Sequence, residues 1–465
     1  MGLSAVLQIG TTGMRVYQVA TEVVSENIAN VNTPGYSRQR IVLETAEATT
    51  HNGFPLGSGV NVATVERYYD ALLQKQLVNA STTSGYDSKK SEVLQQIEPI
   101  FNEVAHDGLG AAISDYFSSW QDLSLNPTGN AERQAVLNQG QVLADQFHYA
   151  ANTVSNAITT QNESLQPLTD ETNSMLSDIA RLNGQIKLTE LVSGNANEMR
   201  DQRDYLVRQL SEKVAVSFTE NSDGSTDVSY TDTTGTYSLV SGSSAGSFSL
   251  VNSGTTLPDG SARLSVQVTP AGGGAAATIA PTTGELGATI TMRDTTLQGY
   301  LDQVDTLAFT MINQVNAVHS AGYGLDSTQN NFFTPAATST GAAAGMALAF
   351  SDINKVAAAQ GPLPIATGDN RNALALATLN RTNGYSADYN KLVAQVGLDV
   401  QNAATVVTQD AAFTKQLTTL RDSNSGVSLD EELTDLMKYQ RSYQACAKLI
   451  TTAGDMLDIV VNLVR

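Results

Sequence analysis

Cysteine is almost absent from this 465-residue chain: Cys446 stands alone, so no intramolecular disulfide can form and no thiolate cluster can hold zinc. Histidine is nearly as scarce. His51, His106, His148 and His319 sit in four separate segments without ligand spacing, and no H-E-x-x-H pattern occurs. Gly272-Gly273-Gly274 lacks the Lys-Ser/Thr that completes a phosphate loop, and Asp107-Gly108-Leu109-Gly110 lacks a third glycine and a preceding strand. Catalysis is therefore not expected, and neither a cofactor nor a metal is. Basic residues are outnumbered 26 to 46, and the resulting net charge of -20 repels phosphate backbones and argues against nucleic-acid binding. No apolar run approaches the ~20 residues that span a bilayer, so membrane insertion is not expected either. The first basic residue is Arg15, which removes the charged start of a secretory signal, and Val6 breaks the myristoylation pattern that Gly2 begins.

What is present is helix period, interrupted by one stretch of different composition. Residues 1–36 read as a terminal helix closed by Asn32-Thr33-Pro34-Gly35, since Pro34 cannot continue a helix and Gly35 tolerates the turn. Residues 37–214 read as the first part of a helical domain, with a small hairpin at 37–66 around Arg40-Ile41-Val42-Leu43-Glu44. Leu109, Ala112, Ile113, Tyr116, Phe117, Trp120 and Leu123 form one apolar stripe. A longer one runs through Val154, Ile158, Leu165, Leu168, Met175, Ile179, Leu182 and Ile186, and Pro167 is expected to kink or split its helix. Residues 215–291 read as an inserted antiparallel β domain. Positions 216–290 hold 26 Ser or Thr, 11 Gly and a single basic residue, Arg263, and alternation such as Leu264-Ser265-Val266-Gln267-Val268 falls between turn pairs like Asp259-Gly260. Helix period returns at 292–320, a loop-rich segment with Pro335, Pro362 and Pro364 covers 321–369, residues 370–427 complete the helical domain, and 428–465 form a C-terminal helix. The fold class is mainly α with an inserted antiparallel β domain. Because helix period resumes on either side, that β domain is expected to project outward and to be dispensable.

Both chain ends carry heptads. At the N-terminus the positions are Leu3, Leu7, Gly10, Met14, Tyr17, Thr21, Val24, Ile28 and Val31. At the C-terminus they are Leu429, Leu433, Leu436, Gln440, Tyr443, Ala447, Ile450, Gly454, Leu457, Val461 and Val464. Ser428 and Glu431 have capping-box spacing, and Asp422, Asp430, Glu431 and Glu432 suit the positive end of a helix dipole. Matching heptads let the two helices pack along each other as a coiled coil. Long core helices of a globular domain would carry the same stripes. Their occurrence at both extreme ends, where chains usually fray, favours an assembly interface between subunits, with the ends unfolded before assembly. Cys446, beside Ala447, reads as a small buried residue.

Two terminal motifs carry a resemblance. Ser25-Glu26-Asn27-Ile28-Ala29-Asn30-Val31-Asn32-Thr33-Pro34-Gly35-Tyr36-Ser37-Arg38-Gln39 resembles the N-terminal motif of the flagellar axial proteins, the group of rod, hook and hook-associated subunits. Gly426-Val427-Ser428-Leu429-Asp430-Glu431-Glu432-Leu433, followed by Tyr439-Gln440-Arg441-Ser442-Tyr443-Gln444-Ala445, is similar to that group's C-terminal signature. Within the group, Met199-Arg200-Asp201-Gln202-Arg203-Asp204-Tyr205-Leu206, the run from Gly284 to Asp294, and the run from Asn313 to Phe333 resemble the hook-associated proteins. The resemblance implies a structural subunit of the hook–filament junction, with Asn30, Asn32, Thr33, Pro34, Gly35 and Tyr36 as the axial motif. It implies a ring or tube of identical subunits, with hook protein on one side and a second junction protein and the filament on the other. It also implies extracellular placement after export through the flagellar type III apparatus without a cleaved signal, and a cytoplasmic export chaperone on the C-terminal helix. The nearer alternative is a hook or distal rod subunit. A secreted surface-binding protein using the β domain is the more distant one.

Overall fold

Apolar stripes at three-to-four spacing become long helices in the computed structural model, which describes residues 2–51, 54–101, 108–362 and 368–463. His106, Pro364 and Val464 lie outside the described residues. Helix α1 (Gly2–Ala29) leads into strands β1 (Gln39–Thr45), β2 (Thr49–His51), β3 (Phe54–Leu56) and β4 (Val60–Arg67). β1 pairs with β4 and β2 with β3, both antiparallel, in the place the alternation predicts a hairpin. Helices α2 (Ala71–Phe101), α3 (Leu109–Leu125), α4 (Asn130–Ser193) and α5 (Asn197–Lys213) follow. Strands β5 (Ser217–Glu220), β6 (Thr226–Asp232), β7 (Gly235–Ser241) and β8 (Ser244–Ala245) form one antiparallel sheet in that order. In a second sheet β10 (Ala262–Thr269) lies between β9 (Ser247–Thr256) and β11 (Ala277–Thr278). Helix α6 (Gly284–Thr291) passes through a π turn at Met292–Thr296 into α7 (Leu297–His319), and α8 (Arg371–Asn383), α9 (Tyr385–Ser425) and α10 (Leu429–Leu463) complete the chain.

The 64-residue α4 organises the whole. At 1.5 Å per residue it is roughly 96 Å long. Pro167 neither ends nor splits it. Leu165 and Leu168 on either side are buried, and packing of that stripe against two cores holds the helix together where one backbone hydrogen bond is missing. The first core joins α3, the N-terminal part of α4, α7, α8 and the start of α9 around Tyr116, Trp120, Phe147 and Met311. The second joins the later part of α4 and α5 to both sheets through Leu165, Ile179, Val207, Tyr230, Val240, Phe248 and Val268. The β segment is not an independent unit, because its strands close a core that α4 and α5 leave open. It is also shorter than its composition predicts: the last strand ends at Thr278, and residues 284–291 are helical. Leu286, Ala288 and Met292 face inward there at helix spacing.

Three asparagines on α4 bind the sheets as a neighbouring strand would, each side-chain amide accepting from a backbone N–H and donating to a C=O. Asn173 accepts from Phe248 N and donates to Phe248 O at 2.7 and 2.8 Å. Asn183 treats Thr226 in the same way at 2.9 and 2.8 Å. Asn162 accepts from Leu264 N at 2.9 Å and donates to Ala262 O at 3.2 Å, and Arg293 of the π turn donates to both Asn162 Oδ1 and Leu264 O at 2.7 Å. The loop-rich segment after α7 is fastened by similar means. Asn316 pairs with the backbone of Phe333, and buried Arg133 donates to the carbonyls of Pro127 and Val356. His319 accepts from Ala357 N through Nε2 and lies 2.6 Å from Asn330 O through Nδ1, and burial lowers its pKa to about 4, so it stays neutral.

Candidate functional site at the meeting of the chain ends

Helices α1 and α10 pair antiparallel: Gly10 faces Ile450, Gly13 faces Cys446, and Asn27 reaches Glu432 at the far end. The seam differs from the expected heptad. On α1 the buried positions are Gly10, Gly13, Val16, Ala20, Val23, Val24 and Asn27. Val24 is thus inside, while Leu3, Leu7, Met14, Tyr17, Ile28 and Val31 are half-buried at its flank. On α10, Glu432 and Ala453 are buried and Leu436, Cys446, Ala447, Ile450 and Leu457 are half-buried, whereas Leu433 (48%), Tyr443 (37%) and Val461 (57%) are exposed. Five of the seven buried positions on α1, and both buried positions on α10, therefore lie one residue N-terminal to the apolar stripe. The cause is close approach. A Cβ on Gly13 would sit 2.8 Å from Cys446 Sγ and one on Gly10 2.7 Å from Ile450 Cγ1, so the helices meet over small residues that hydrophobic spacing does not mark.

Where the pair joins the helical body, a buried polar network replaces apolar packing. Asn27 is 1% exposed and uses its whole amide: Oδ1 accepts from Tyr36 OH and Gln39 N, and Nδ2 donates to Gln39 O and Glu432 Oε2, all at 2.9 Å. Burial pushes the Tyr36 phenol up, so it remains a donor. Gln39 Oε1 in turn accepts from Asn197 at 3.0 Å. Next along the chain, Ser37 donates from both N and Oγ to Asp201 at 2.7 and 2.8 Å. Arg67 at the end of β4 bridges Asp201 at 2.6 Å and Asp204 at 2.8 Å. Burial raises the Asp201 carboxyl, and Arg67 and Ser37 pull it back towards ionisation. Arg38 holds the start of α10 through Glu432 and Glu431, both at 2.6 Å. Glu431 is thereby turned to Arg38, and the expected capping box with Ser428 gives way to an ion pair across 393 positions of sequence.

The axial motif divides into a buried and an open half. Asn30 donates to Glu26 O and accepts from Thr33 Oγ1, closing the turn after α1. Gly35 has φ +86°, and a Cβ there would lie 3.0 Å from Tyr205, so this turn needs glycine twice over. Tyr36 is buried, and Asn32, Thr33 and Pro34 are exposed. Beside the turn, a hydrogen bond to Glu198 is the main reason the Glu26 carboxyl is raised to about 7, with burial adding to it. The motif at 25–39, the segment 199–204 and the start of α10 thus converge on one joint, although 405 positions separate Asn27 from Glu432. Spacing alone did not mark Asn27, Gln39, Arg67 and Asn197 as its members. The available signal was a buried-face asparagine within an apolar stripe, a weak helix former whose amide can serve extended backbone.

Among the described residues no group of three or more His, Cys, Asp or Glu is placed to hold a metal, and no helix is long and apolar enough to cross a membrane. The geometry suits a mechanical joint, which fixes two helices and a hairpin to a rigid body.

Comparison with known proteins agrees with the two ends and the middle separately. Residues 94–333 match the family model described as the flagellar hook-associated protein FlgK helical domain. Residues 7–36 match that of the flagella basal body rod proteins, and residues 421–463 that of the C-terminal part of the flagellar basal body rod FlgEFG proteins. Flagellar hook-associated protein 1 of Bacillus subtilis is 27% identical, over 98% of this chain and 97% of its own length. Its counterparts in Salmonella typhimurium and Escherichia coli are each 26% identical over 99% of this chain and 100% of their own. The solved structure of the flagellar hook junction protein FlgK from Burkholderia pseudomallei has a TM-score of 0.66 at 18% identity, covering 75% of this chain and all of that one, and so shares the fold. With just over half of its length under the helical-domain model, and both ends under axial models, the chain belongs to the FlgK family of flagellar hook-associated proteins.

Proposed function

We propose that this chain is a structural, non-catalytic subunit of the hook–filament junction, exported through the flagellar type III apparatus and required for filament growth outside the cell. Copies form a ring or tube through α1 and α10, with hook protein on one side and a second junction protein and the filament on the other. Before export, a cytoplasmic chaperone covers α10. The observation that carries this reading is the apolar surface left on α10 after it has paired with α1. Leu433, Met437, Leu449, Met456, Ile459, Val460 and Val461 are between 47% and 60% exposed on one helix of an otherwise acidic, soluble-looking chain. Apolar surface of this extent marks a site that another protein covers. The Leu3, Leu7 and Met14 flank of α1 lies along the same helix pair and extends the proposed interface.

The test is electron microscopy of cells from which the gene has been deleted. Bare hooks with unpolymerised flagellin in the medium are expected, and a plasmid copy should restore filaments. Loss of the hook itself would favour the hook or rod alternative, and normal filaments would remove the junction reading.

A further inference from the structure

We propose that the cleft of about 430 Å³ between the 30–36 turn, α5 and the α9–α10 connection receives an acidic side chain from a second copy of this chain. The inference rests on the junction reading above. Two arginines line the cleft, Arg208 from α5 and Arg421 from α9. The Arg208 guanidinium lies 5.0 Å over the Tyr205 ring and makes no hydrogen bond or ion pair among the described residues. Its charge is opposed by burial and by Arg421, while Glu212 and Asp422 offset this from beyond ion-pair distance. Arg421 spends one Nη on Tyr36 O at 2.9 Å and approaches Asp422 only at 3.8 Å. Two guanidinium groups therefore line one cleft, and the carboxylate that lines it with them, Asp422, approaches Arg421 no closer than 3.8 Å and forms no ion pair with Arg208. That arrangement matches the forked geometry in which arginine takes a carboxylate.

The rim supplies a second, independent observation. Asn32 and Pro34 belong to the axial motif and line the same cleft, yet they are exposed, and Asn32 makes no hydrogen bond among the described residues. No contact among the described residues accounts for Asn32 at this position of the motif. Charge complementarity selects the occupant. With 46 acidic residues against 26 basic ones, each copy repels the next, and a lattice of copies needs local pairs of opposite charge to set its register. A cleft with two half-free arginines next to the terminal helix pair is suited to that task.

The experiment places a benzoylphenylalanine photo-crosslinker at Asn32 in motile cells and isolates flagella after irradiation. A covalent dimer of this chain is expected, with Asp or Glu in the crosslinked peptide. Arg208→Gln removes one of two repelling charges, so the melting temperature of the purified monomer should hold or rise while the dimer yield falls at least tenfold. Arg208→Lys, which keeps the charge without the fork, should fall between. A crosslink to a different flagellar protein, no crosslink in assembled flagella, or an undiminished dimer in Arg208→Gln each overturns the inference and leaves the junction reading standing. Absence of the chain from flagella removes both.

Discussion

Asn27 shows how much one buried amide can hold. It satisfies Tyr36 OH, both backbone groups of Gln39, and Glu432, so removing it strands several polar groups at once. Asn27→Leu is expected to cost on the order of 3 kcal/mol, read as a lower denaturant midpoint, even though leucine is the better helix former. An unchanged midpoint would mean that water replaces the amide. Glu26 gives a pH-dependent counterpart. Its carboxyl is raised from 4.5 to about 7 beside Glu198, so between those values the folded joint keeps a proton that the unfolded chain releases. The stabilisation is present at low pH and lost as pH rises through about 7. Hydrogen exchange at the C-terminal end of α1 should therefore be faster at pH 8 than at pH 6, after correction for intrinsic rates. Glu26→Gln should abolish the difference. Residues of this kind were only half visible in the sequence: the motif around Asn27 was legible, but its partners Asn197, Arg67 and Glu432 are brought to it by folding.

At the scale of elements, helix period located almost every helix, and it misplaced the seam between the two that matter most. Gly13, Ala20 and Asn27 carry no hydrophobic signal, so the stripe was read through Met14 and Ile28 instead. The correction separates folding from assembly more cleanly than the stripe alone. Leu457 is half-buried in the chain itself, but Leu433 and Val461 are 48% and 57% exposed. Changing Leu433 and Val461 together to Asp should leave the monomer stability, read from its melting temperature, within about the ±0.5 kcal/mol usual for surface changes. In cells the same variant should fail to join the hook, leaving filaments absent. A marked drop in the monomer would show that these residues are already covered there. Pro167 does not split its helix for a related reason: a proline's local cost of about 3 kcal/mol is small beside the burial of a stripe on both sides of it.

For the whole molecule, the β segment is the decisive case. Its composition suggested an independent insertion, but Val228, Tyr230, Leu239, Val240, Phe248, Val266 and Val268 complete the core begun by Leu165, Ile179 and Val207. Each such side chain is worth roughly 1.5–3 kcal/mol when buried, so losing all seven removes about 10–21 kcal/mol, as much as the whole 5–15 kcal/mol stability of an ordinary domain. Replacing 215–283 with a Gly/Ser linker should therefore unfold the second half of α4, seen as lost protease resistance and lost helical circular dichroism. A stably helical deletion protein would restore the view of the β segment as an appendage.

The sequence by itself determined the helices, the position of the β segment, the absence of a metal motif, and the terminal motifs that point to the flagellar axis, because each is written in local spacing or in short contiguous runs. The tertiary structure decided which face of each terminal helix is inside, what Arg38, Asn27 and Asp201 bind, and that the sheets and α4 share one core. Those outcomes depend on how closely two backbones approach and on which polar groups meet across hundreds of positions, and neither quantity has a period along the chain.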